Sequence, residues 1–138
     1  MSRAIWALLW AVLSLWAQEW DHYDTFRLQK DQWQHVRIHT KHRSHELAFR
    51  WTLYQGGGLV MHVRYDAHRY QPLLYRDARR DTFRLPLFAR QDEASPLPLG
   101  RPYALLIFRE FDPRRREAVI DMRLKTHGET EVYYVKGK

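Results

Sequence analysis

The chain has 138 residues, with 23 Lys and Arg against 16 Asp and Glu, a formal net charge of +7 and an aromatic content of 14%. It contains no cysteine, which excludes disulfides, thiolate metal sites, cysteine nucleophiles and a lipidated N-terminal cysteine. Eighteen of the basic residues are arginine and five are lysine; arginine suits bidentate contact with carboxylate or phosphate, so an anionic partner stands beside the plainer reading of a solvated basic surface.

The first seventeen residues have the pattern of a secretory signal peptide. Arg3 supplies a short positive region, Ala4 to Leu15 is apolar and uncharged, and Ala17 offers a small residue at the cleavage position before the chain turns polar at Gln18. The apolar run is shorter than the roughly 20 residues that span a bilayer. Leu15, at the −3 position, is larger than usual there, which leaves an uncleaved N-terminal anchor as the alternative. The expected organisation is a signal peptide over residues 1–17 and a single β domain over 18–138, exported to a periplasm or outside the cell. The mature part carries 22 basic and 16 acidic residues, a net of +6. No further membrane span is expected in it.

No helix is expected after the signal segment beyond a turn around residues 18 to 32. "HVRIHTKHRSHE", residues 35 to 46, then places four histidines in twelve positions. In an extended strand His35, Arg37 and His39 share one face and Val36 and Ile38 the other, the mark of a half-buried strand. His42 and His45 fall in the turn that follows. "ELAFRWTLY" and "LVMHVRYD" both alternate with period two and flank "QGGG". A three-residue loop, Gly56-Gly57-Gly58, pairs Leu53 with Met61 and Trp51 with Val63, so all the apolar residues share one face. The same register sets Thr52 opposite His62 and Arg50 opposite Arg64.

The second half repeats the arrangement. Pro86 puts "TFRLPLF" at a sheet edge or bulge, and residues 89 to 102 read as a long surface connection. "YALLIFREF" and "EAVIDMRLK" flank the turn "DPRRR", with Ala104, Leu106 and Phe108 facing Ala118, Ile120, Met122 and Leu124 across a loop from Asp112 to Arg116. "DTFRL" at 24 to 28 recurs at 81 to 85, an offset of 57. At that offset Trp51 falls on Phe108 and Val63 on Ile120, which suggests a pseudo-repeat. "WQHVRIHT" has no strand-like counterpart in "RQDEASPL". The expectation is an all-β fold, a small antiparallel sandwich or barrel of about eight strands.

Nothing in the chain identifies a reaction. Only Ser44 and Ser95 provide serine hydroxyls after residue 17, neither in a nucleophile elbow, and no cofactor motif occurs. His127 beside Glu129 and Glu131 lacks a nucleophile. Two binding readings compete. The leading one is a binding or interaction module in which Arg50, His62 and Arg64 hold an anionic group of an acidic protein, a glycan or a lipid headgroup. Two arginines facing across a strand pair repel unless an acid or a bound anion separates them; Asp66 and Glu46 are the acids close enough to do so. Protonation of His62 would add a third cation. Nucleic acid is not expected for an exported protein. The alternative is a transition-metal site made by His35, His39, His42 and His45, which the interleaved Lys41, Arg37 and Arg43 oppose.

Overall fold

The computed structural model describes residues 20–40, 43–77, 79–88, 102–126 and 130–135. The segment expected to be a signal peptide, His42, His127, Glu129 and nearly all of the 89–102 connection lie outside them. The period-two runs form strands β1 (His22–Gln29), β2 (Gln34–His39), β3 (Ser44–Gln55), β4 (Gly58–Tyr65), β5 (His68–Tyr70), β6 (Leu73–Tyr75), β7 (Thr82–Pro86), β8 (Tyr103–Asp112), β9 (Glu117–Lys125) and β10 (Glu131–Val135). There is no helix among the described residues. Two antiparallel sheets result, a four-stranded one in the order β1-β9-β8-β7 and a six-stranded one in the order β10-β2-β3-β4-β5, with β6 also on β4. The arrangement is that of a β-sandwich, and the residues expected as a turn at 18 to 32 instead supply strand β1.

Ten strands replace the expected eight partly because one edge strand is broken. β5 and β6 pair with β4 in a single continuous register, Val63 with Tyr70 and Val60 with Leu73. Pro72 interrupts them because it has no N–H to donate. Its carbonyl still accepts from Met61 N–H at 3.0 Å, so the ladder continues through the break. Pro86 likewise ends β7 on the opposite sheet's edge, where proline is tolerated.

The first hairpin departs from its expected register. Its turn holds two residues, Gly56 and Gly57, with φ of 60° and 79°, the left-handed pair that a tight hairpin requires; Gly58 is already in β4. Trp51 pairs with Met61 and Phe49 with Val63, and the register shifts between Trp51 and Leu53. The core pairing is therefore two residues from the expected one. An even slip keeps every side chain on its face, so Leu47, Phe49, Trp51, Met61, Val63 and Tyr65 are all buried. Beyond the bulge at Thr52 the phase inverts. Leu53, expected inside, is 48% exposed, and Tyr54 turns inward to stack on Phe111 at 3.9 Å. Gly57→Val is expected to cost about 1–2 kcal/mol, because a β-branched residue is strained in the left-handed region; a chemical denaturation curve unchanged from wild type would contradict the turn geometry.

The second hairpin keeps its expected core register: Ala104 pairs with Leu124, Leu106 with Met122 and Phe108 with Ile120. A bulge at Arg109 then shifts the end, so that Asp112 meets Glu117 and the turn shortens to Pro113–Arg116. Asp112 Oδ1 accepts from the N–H groups of Arg114 at 2.9 Å and Arg115 at 3.3 Å, a local turn motif. The two bulge residues, Thr52 and Arg109, are 57 apart, the offset of the sequence echo. The flanking strands are not equivalent in the same way, since β1 pairs with β9 but β7 pairs with β8.

The inner faces of both sheets meet in one core that includes Ile38, Leu47, Phe49, Met61, Leu106, Phe108, Ile120 and Met122. Trp51 ties the layers together: its indole N–H donates to the Leu28 carbonyl on β1 at 2.7 Å. On the outer face of the four-stranded sheet, Asp121 is buried under a polar cover. It accepts from Thr25 Oγ1 at 2.7 Å and Tyr23 Oη at 3.1 Å, and it pairs with Arg109.

Candidate anion-binding site

The outer face of the six-stranded sheet is where the cations collect. Along β4, His62 and Arg64 point outward, because Leu59, Met61, Val63 and Tyr65 take the inner positions. Arg50 on β3 lies directly opposite His62, and Arg64 lies opposite Ala48 on one side and Arg69 of β5 on the other. The expected Arg50–Arg64 pairing is thus corrected by the two-residue register change. A like-charge cross-strand pair is present all the same, between Arg64 and Arg69. Asp66 makes it possible by closing the two-residue turn from β4 to β5 at a φ of 50°, which aspartate tolerates better than most residues.

Trp33, just ahead of β2, completes the arrangement. Its ring lies 4.2 Å from Arg64 Cζ and 4.7 Å from Arg50 Cζ. The negative face of an indole attracts a guanidinium and so offsets part of the mutual repulsion. Carboxylates and phosphates, unlike a ring face, are bound through the N–H edge of a guanidinium. Trp33, Arg50, His62, Val63, Arg64, Arg69 and Tyr70 line a concavity of about 200 Å³, enough for a phosphate-sized group with its nearest substituent.

The acids named as neutralising partners are engaged elsewhere. Asp66 Oδ2 bonds His45 Nδ1 at 2.7 Å, and Asp66 Oδ1 accepts from Glu46 N–H at 3.0 Å. Glu46 pairs with Arg37 at 3.2 Å. Among the described residues the only carboxylate within ion-pair distance of the cluster is Asp31, at 3.9 Å from Arg50, the outer limit of an ion pair. Arg64 and Arg69 make no ion pair among the described residues. Arg50 Nε is also buried without a hydrogen-bond partner among them.

The histidines of the alternative reading do not converge where they are described. His35 and His39 point outward from β2 with Arg37 between them. His45 lies in β3 rather than in the turn, paired with Ile38 on the inner side, and its ring packs against Tyr65 and Phe88 at 5.8 and 4.8 Å. The Tyr65 hydroxyl accepts from Phe88 N–H at 3.0 Å, and burial pushes its phenol up to about 12. No group of three or more His, Asp or Glu set to hold a metal ion occurs among the described residues.

Trp33, Arg69 and Tyr70 are site residues that the sequence reading missed. A signal for Arg69 was present: the "YDAHRY" stretch alternates on either side of Asp66-Ala67, which would have placed Arg69 against Arg64. Trp33 had none, since it precedes its strand and reaches the arginines only through the β2–β3 pairing. The fold and site together define an antiparallel two-sheet β protein with a cationic, aromatic-backed sheet face. Comparison of the chain with protein-family models, with curated proteins and with solved structures found no match. No helix among the described residues is long and apolar enough to cross a membrane.

Proposed function

We propose that the protein is an exported binding module whose six-stranded sheet takes an anionic group, a phosphate or a carboxylate, between Arg50, His62, Arg64 and Arg69. The observation that carries this reading is that Trp33 lies against both Arg50 and Arg64, while neither Arg64 nor Arg69 has a carboxylate partner among the described residues. An internal salt network would have consumed the donors that an external anion needs. Surface ion pairs contribute little to stability, so a cluster of this kind makes better sense as a recognition device than as a staple. The chain's arginine excess fits the same role, and export is the reading that its first seventeen residues support.

Inorganic phosphate and sulfate should raise the melting temperature. A ligand that binds only the native state stabilises it by about 2.7 kcal/mol at a hundredfold excess over Kd. The Arg64→Ala/Arg69→Ala variant should lose that response, while Arg37→Ala, whose partner is Glu46, should keep it. Equal responses from wild type and the double variant, measured at matched ionic strength, would show that the cluster is solvated surface.

A further inference from the structure

The anion site does not stand alone on its face. Moving along β4 toward the Gly56-Gly57 turn, the next outward row is Leu53, Val60 and Leu73, joined by the pairs Leu53–Val60 and Val60–Leu73. Leu53 and Leu73 are 48% and 51% exposed, and they are two of the few large apolar side chains left open to water among the described residues. Beyond them, in the row of Gly58, lies Tyr75. A Cβ on Gly58 would come within 3.0 Å of the Tyr75 ring and 3.2 Å of Leu73 Cδ1, so the glycine lets these two side chains lie down across the tip. Arg80 sits over the Tyr75 ring at 4.4 Å.

Rows two residues apart on a strand are about 7 Å apart. One sheet face thus presents an apolar row of Leu53, Val60 and Leu73, bordered at the strand end by Tyr75 and the Arg80–Asp77 ion pair at 2.6 Å, then a row with Arg50 and His62, then a row with Arg64 and Arg69. That order, apolar to cationic over about 14 Å, matches the order of acyl chain to phosphate in a bilayer. Aromatic residues with one apolar and one polar end favour the same boundary, and interfacial segments bury their apolar face by about 5–10 Å. We propose that this face docks on anionic phospholipid membranes, with Leu53, Val60 and Leu73 among the outer acyl carbons and the lipid phosphate on the arginine cluster. This rests on the anion-binding reading above and names the source of the anion.

The absence of cysteine allows a single label to test it. In the full chain, Leu53→Cys carries an environment-sensitive fluorophore, and Ser44→Cys, exposed at the opposite end of β3, carries the same fluorophore as a control. Vesicles of phosphatidylglycerol with phosphatidylcholine should shift the emission of the label at position 53 to the blue and leave that at position 44 unchanged. Pure phosphatidylcholine vesicles should do neither, so contact made by the apolar N-terminus alone is told apart. Adding Leu73→Ser should weaken the response at position 53 several-fold while the phosphate-dependent melting shift of that variant stays intact. A label at position 53 that remains in water, or a response at both positions alike, would overturn the docking proposal. If phosphate still stabilises the protein in that case, the anion site stands and only its membrane source is refuted. If phosphate has no effect, the binding reading itself has failed.

Discussion

Trp51→Ala should destabilise the protein by about 3–5 kcal/mol, the range for deleting a large buried aromatic side chain. Trp51 is 4% exposed, and its ring meets Phe111 edge-on at 5.5 Å. The loss has two parts: a cavity where β3 faces β1 and β8, and a Leu28 carbonyl deprived of its 2.7 Å donor across the sheets. A buried carbonyl without a partner costs about 1–3 kcal/mol, although water entering the cavity would recover part of that. For a domain of this size the total corresponds to a melting-point drop of roughly 10–20 °C. Trp51→Phe should recover much of the packing but not the hydrogen bond. An effect of Trp51→Ala near zero would show that the two sheets are not joined through this residue.

The second large effect concerns Asp121. Its carboxylate is held below the usual aspartate range: burial works to raise it, but hydrogen bonds from Thr25, Arg109 and Tyr23 and the charge of Arg109 outweigh that effect. A carboxylate whose folded-state value is depressed adds stability that is fully present above its unfolded value, near ~3.9. That stability is lost as pH falls through the folded value. The wild type should therefore weaken on acidification below about pH 4. Asp121→Ala should cost about 2 kcal/mol at neutral pH, a modest figure because Arg109 is 45% exposed and a screened pair contributes little. The difference between the two proteins should shrink at the acid end. Denaturant titrations at neutral and at acid pH measure it, and a gap that widens on acidification would contradict the assignment.

Much of the fold was legible because period-two alternation survives local irregularity. The β-branched Val36 and Ile38 marked the buried side of β2, and the apolar run from Ala118 to Leu124 set the second hairpin's register correctly. The first hairpin was harder to read. Three consecutive glycines allow more than one turn, and a bulge at Thr52 leaves no mark on the apolar pattern before it. The slip was even, so the cationic residues were placed on the correct face while their partners were not. Arg50 met His62 instead of Arg64, and Arg64 met Arg69. Trp33 was illegible for a different reason: its position over the guanidiniums depends on pairing between strands, which composition and spacing near residue 33 do not encode.

The central claim is that an anion is taken by the face that Trp33 backs, and a phosphate titration followed by ¹H–¹⁵N nuclear magnetic resonance tests it most directly. The indole N–H of Trp33 and the Nε–H groups of Arg50, Arg64 and Arg69 should shift together along a saturating curve. The indole N–H of Trp51, fixed on the Leu28 carbonyl, should stay still. Shifts that grow without saturation, or that centre on Arg84 and Arg123 beside Tyr103 and Trp20 on the opposite sheet, would contradict the account.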